Sequence, residues 1–136
     1  MHQADWDNLI RDLRQVDNLD LMVAAAAQLR QTATKEDVPR LQELLSDEDF
    51  FVREAAAWPL SEIAGVSTLP ELLRAYQRGL DEGHDNDGLS AALTDLAITD
   101  AVNVSRILET LARSGDPAME ENAKWLLTFC TPSQDV

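Results

Sequence analysis

A pattern that returns at intervals of 31 residues limits the folds open to this chain more than any other property of its sequence. Leu21-x-x-x-Ala25-Ala26-x-x-Leu29 is echoed 31 positions later by Val52-x-x-x-Ala56-Ala57-x-x-Leu60. Ala56 and Leu60 return as Ala92 and Leu96 after 36 positions, and these as Ala123 and Leu127 after 31 more. Val38-Pro39-x-Leu41 is matched by Leu69-Pro70-x-Leu72, again at 31. Apolar residues spaced at three and four within each unit predict amphipathic helices. Each unit is thus a helical hairpin, whose apolar face is covered only when neighbours stack on it.

Short breaks delimit eight helices at roughly 4–16, 19–33, 36–46, 49–64, 68–80, 87–98, 101–114 and 117–130. Ser67 ahead of Pro70, and Asp116 followed by Pro117, supply start signals. Ala and Leu are abundant while aromatic residues make up 5% of the chain, which fits an all-α class. No break is long or low in complexity, so a single domain over 1–136 is expected, with hairpins at approximately 4–33, 36–64, 68–98 and 101–130. The 36-residue step requires five extra residues, placed by inspection in a solvated loop over Asp81–Gly88.

The segment Leu44-Leu45-Ser46-Asp47-x-x-x-x-Val52-Arg53-x-x-Ala56-Ala57-Trp58-x-Leu60-x-x-Ile63-x-Gly65 resembles the HEAT repeat, in particular the short bacterial form named after phycobilisome lyases. The resemblance implies an α-solenoid of about four hairpins, with second helices lining the concave face and first helices the convex one. It also implies structural roles for Asp47, in the turn, and Arg53, near the start of the second helix. The carboxylate is expected to cap that helix, and the guanidinium to bond to it or to the next repeat. Pro59 departs from the pattern. It removes an amide donor in mid-helix, so a kink near Ala55 is expected.

A wheel at 100° per residue places Val52, Ala56, Pro59, Leu60 and Ile63 inside helix 49–64, with Phe50, Glu54, Trp58 and Ser61 opposite. Helix 117–130 places Met119, Ala123, Leu126, Leu127 and Cys130 inside, with Glu121, Trp125 and Thr128 opposite. Glu54 and Glu121, Trp58 and Trp125, and Ser61 and Thr128 are each 67 apart, so two units present the same Glu-x-x-x-Trp-x-x-Ser/Thr stripe. The intervening unit presents Ser90 and Thr94 there, and the first presents Val23 and Ala27. An acidic and aromatic strip of Glu54, Trp58, Ser61, Ser90, Thr94, Glu121 and Trp125 would suit a basic, partly apolar protein or peptide. The competing interpretation is that Trp58 and Trp125 fill seams between hairpins.

The chain carries 25 acidic against 11 basic side chains, a formal charge of −14, which disfavours nucleic acid as a partner. No apolar run reaches the roughly 18 residues of a membrane span, and the polar, acidic start is not that of a signal peptide. One cysteine forms no internal disulfide, which points to a reduced, cytoplasmic setting. Cys130 falls on an interior face with no His nearby in sequence, as a structural thiol does. The carboxylates and glycines of 81–88 miss the calcium-loop register, because Gly83 and Thr94 would stand where acidic ligands are required. His2 and His84 have no metal-ligand spacing. No catalytic motif, cofactor or metal site is therefore expected.

These readings favour a non-enzymatic interaction module that binds a basic protein or peptide on its concave face, as a capped monomer in slight preference to a homo-oligomer stacked through its end hairpins. Two alternatives stand beside it. Charge alone motivates a small immunity or inhibitor protein acting on a basic toxin or DNA-binding protein. The family likeness implies a bilin lyase component acting on phycobiliproteins.

Overall fold

A computed structural model of the chain describes residues 1–130, and within them every regular element is helical. Eight α-helices follow one another: α1 (Gln3–Leu13), α2 (Leu19–Thr32), α3 (Val38–Leu44), α4 (Phe50–Ala64), α5 (Leu69–Asp81), α6 (Asp87–Thr99), α7 (Ala101–Leu111) and α8 (Pro117–Cys130). Short 3-10 turns, Lys35–Asp37 and Gly65–Thr68, lead into α3 and α5. Both of those helices carry a Pro in the first turn, where a missing amide hydrogen costs nothing.

The helices pair as α1 with α2, α3 with α4, α5 with α6 and α7 with α8, and α2, α4, α6 and α8 pack in succession. The repeated small residues explain that layer. Ala25, Ala56, Ala57, Ala92 and Ala123 are buried, which lets consecutive second helices approach closely while Leu13, Leu29, Leu41, Leu60, Leu72 and Leu93 fill the space between the layers. The architecture is the expected all-α solenoid of four hairpins.

Three second helices are capped by their own leading side chain. The amide of Leu21 donates to Asn18, that of Phe51 to Asp49, and that of Ala118 to Asp116. Asp116 thus acts as the sequence suggested, whereas Ser67 lies inside a 3-10 turn and its hydroxyl donates back to the Ala64 carbonyl. The α6 start differs. Asn86, in the left-handed region (φ 59°), turns inward and donates from Nδ2 to the Tyr76 carbonyl at 2.7 Å. Gly79 of α5 makes room for it, since a Cβ there would lie 2.0 Å from Asn86 Oδ1.

That inward turn corrects the expected 81–88 loop. Asp81 ends α5, Asp87 and Gly88 begin α6, and Asn86 is fully buried. The extra residues instead lengthen a helix: α5 has 13 residues where α3 has 7, and the connection that follows spans five residues in each hairpin, 45–49 and 82–86. α4 continues as one helix through Pro59, which is buried.

Asp47 and Arg53 bind hairpins together. Arg14 of the first hairpin grips the Asp47 carboxylate with both terminal nitrogens, at 3.0 and 2.5 Å, and holds that carboxyl below its ordinary range. Asp47 also accepts the Asp49 amide, so it shapes the turn while Asp49, not Asp47, caps α4. Arg53 is fully buried. Its Nη1 donates to the carbonyls of Asp47 and Glu48, and its Nη2 to the Glu82 carboxylate of the next hairpin.

Candidate functional site

A groove opens on the free side of the second-helix layer, between α2 and α4. Its floor and walls are Ala26, Ala27, Arg30, Phe51, Ala55 and Trp58, with Glu54 and Gly88 closing the end toward α6, and its volume is about 240 Å³. Its origin is visible in the helical period. On α2, Leu19, Val23, Ala27 and Arg30 fall on one stripe, and on α4 so do Phe51, Ala55, Trp58 and Glu62. Leu19 (66%) and Val23 (53%) are exposed and extend the apolar α2 wall beyond the groove.

The charged groups have distinct duties. Arg30 stacks on Trp58, its guanidinium carbon 4.4 Å from the ring centre, and pairs with Glu62, Nε to Oε1 at 2.7 Å and Nη2 to Oε2 at 3.3 Å. Glu54, which lines the groove as its spacing suggested, has a further task. Its Oε2 accepts the Gly88 amide at 3.0 Å, so α4 caps the start of α6 from outside, replacing the cap that Asn86 does not provide. Gly88 permits this approach, because a Cβ would lie 2.5 Å from Glu54 Cγ. Burial raises the Glu54 carboxyl above its ordinary range, partly countered by the Gly88 hydrogen bond, with Asp85 and Asp87 adding repulsion.

The sequence-derived strip does not survive as one surface. Trp58 lines the groove. Ser61 is buried (6%), its hydroxyl donating to the Trp58 carbonyl at 2.9 Å, because α4 is flanked by both α2 and α6 and leaves only a narrow stripe free. Ser90 and Thr94 on α6 are half-buried, and the Thr94 hydroxyl donates to the Ala91 carbonyl. Glu121 is exposed. Trp125, although at the position equivalent to Trp58, stacks on Tyr76 of α5 with ring centres 5.0 Å apart and planes 3° from parallel, and meets Phe129 edge-on. The cause is the placement of α8, which packs against α5 as well as α6, with Asn122 donating to Gln77 of α5 at 2.7 Å. Trp125 and Trp58 therefore sit in different surroundings.

Wheel arithmetic passed over Arg30, Phe51 and Ala55. Arg30 lies one turn beyond Ala27 on the stripe already marked by Val23 and Ala27, so its place was readable; its pairing with Glu62 was not. Around the former loop, His84 stacks on Phe50 at 4.0 Å. Among the described residues no three His, Cys, Asp or Glu side chains converge as a metal site, and no helix is long and apolar enough to cross a membrane. Cys130 is buried and its thiol is pushed up by that burial.

A family model described as HEAT repeats matches residues 7–84, which include α2, α4 and all of the groove's lining residues except Gly88. No curated protein and no solved structure matches the chain.

Proposed function

The chain belongs to the HEAT-repeat family, whose repeats generally serve as protein-interaction scaffolds, and on that premise we propose that it is a non-enzymatic module that binds a basic, partly apolar protein segment in the α2–α4 groove. The observation that carries this reading is an apolar cleft bordered by carboxylates. Phe51, Ala55 and Trp58 face Ala26 and Ala27 across it, Glu54 stands at one end, and Glu62 lies just beyond the groove, paired with its lining Arg30. The stripe from Leu19 to Arg30 runs roughly 16 Å along α2, enough for about three turns of a bound helix. An aromatic anchor in a partly desolvated pocket is the usual centre of binding energy, and surrounding acid steers a cationic partner toward it.

A synthetic amphipathic helix with leucines on one face and lysines and arginines on its flanks tests this, beside a counterpart whose flanks carry glutamates. The basic peptide is expected to bind, to weaken with added salt, and to lose about tenfold in affinity on Trp58→Ala with helical content retained. Equal binding of the acidic peptide, or indifference to Trp58→Ala, would contradict the reading.

A further inference from the structure

We propose that the face of Trp58 is a guanidinium seat, occupied by Arg30 in the free protein and taken over by an arginine side chain of the bound partner; this rests on the groove reading above. Two recognition elements meet there. The indole offers a flat, electron-rich face, and the Glu62 carboxylate lies beside it in position to accept two parallel hydrogen bonds. A planar cation with forked donors satisfies both at once, whereas an ammonium group satisfies them less well. Arg30 shows that the fit is real, because it already makes both contacts.

The occupant is held in a way that permits exchange. The side chains of Arg30 and Glu62 are 47% and 44% exposed, and an exposed ion pair contributes little net stability. Arg30 borders two hollows, the groove itself and a neighbouring open cavity of about 470 Å³ that Ala27, Gln31 and Glu62 also line, so its half-exposed side chain has free space on both sides of the ring. Once the Arg30 side chain swings off the ring into solvent, the Glu62 carboxylate loses its arginine partner, and Asp95, which also acts on Arg30, adds to the negative field there. Charge complementarity then selects a positively charged replacement, and the carboxylate fork beside the ring selects guanidinium over ammonium. Arg30 is thus a gate that keeps the apolar face of Trp58 covered until a partner arrives.

The test follows the Trp58 indole N–H signal by NMR while Arg30→Ala is titrated with methylguanidinium or methylammonium at constant ionic strength. Methylguanidinium is expected to shift that signal at concentrations about fivefold lower than methylammonium, and lower than it needs in the unsubstituted protein. Adding Glu62→Gln should abolish the preference. Arg30→Gln, which keeps more of the side-chain stem, should behave as Arg30→Ala does. Equal response to the two cations, or a preference that survives Glu62→Gln, overturns the seat. A pair of helical peptides identical except for arginine or lysine flanks separates the two levels. Stronger binding of the arginine peptide that also requires Trp58 supports the seat. Equal, Trp58-dependent binding overturns the seat and leaves the groove standing, and binding of both that ignores Trp58→Ala overturns both.

Discussion

Glu54 shows how far a single residue can be read from spacing. Its position on the outward side of α4 was legible, and it does stand at the groove. Its work as the cap of α6 was not, because the partner amide belongs to Gly88, 34 residues away, and depends on Asn86 having turned inward. Periodicity reports which way a side chain points and is silent on which later segment will meet it. Glu54→Ala should therefore destabilise the fold by about 1 kcal/mol, as loss of an N-cap does, measured by urea unfolding. The pH dependence has a definite sign. A carboxyl raised above its unfolded value holds its proton more firmly in the folded state, so its contribution to stability is full below the unfolded pKa and is lost as pH rises through the raised value. Glu54→Gln, which retains an acceptor oxygen for Gly88, should remove that decline in the weakly acidic range. An unchanged pH profile in Glu54→Gln would mean that the carboxyl titrates as it does in the unfolded chain.

Between elements, the repeat pattern predicted which helices stack and missed how the hairpins are pinned. Arg53 was expected to bond to the Asp47 carboxylate or to the next repeat; it reaches the next repeat through the Glu82 carboxylate, and within its own turn it donates to the main-chain carbonyls of Asp47 and Glu48 instead of to that carboxylate. Arg78, on α5, joins the same Glu82 at 3.0 Å and Glu48 at 3.2 Å. Arg53→Ala removes three hydrogen bonds and the packing of a fully buried side chain, and a loss of about 3 kcal/mol in unfolding free energy is expected. Asp47 and Glu82 are both held below the ordinary carboxylate range by their arginines. Their contribution is present above the unfolded pKa and fades as pH falls through the lowered values, the opposite of Glu54. Gly79 has an equally local meaning. A glycine inside a helix reads as a weak point in sequence, yet here it admits the buried Asn86, and Gly79→Ala should cost on the order of 2 kcal/mol by expelling that side chain. Asn86→Ala combined with Gly79→Ala should lose less than the two separate losses added together, since the clash disappears with the side chain.

Over the whole molecule, the fold class and hairpin count were legible because 31-residue self-similarity is a property of the sequence itself. The candidate site was legible only in part. Trp58 and Trp125 are equivalent by register, and a perfect solenoid would have aligned them. The wedge of α8 against α5 breaks that equivalence, and it arises from contacts such as Trp125 on Tyr76 and Asn122 on Gln77 that no repeat position encodes. The surplus of negative charge also has a place in the assembled fold. Asp47, Glu48, Asp49, Glu82, Asp85 and Asp116 lie in the turns within hairpins, along the edge where the second helices begin, and Glu54 joins this edge to the groove. Arginines pair with Asp47, Glu48 and Glu82 there, and binding of the proposed basic segment should weaken as salt is added.

Docking of a basic helix in the α2–α4 groove, as proposed, is read most directly from an amide chemical-shift map of the protein titrated with the basic amphipathic helix. Perturbations should cluster on Ala26, Ala27, Arg30, Phe51, Ala55 and Trp58, and leave the Trp125 indole unmoved. A map centred on Trp125 and α8, or spread evenly over the acidic turns with Trp58 silent, would contradict the account.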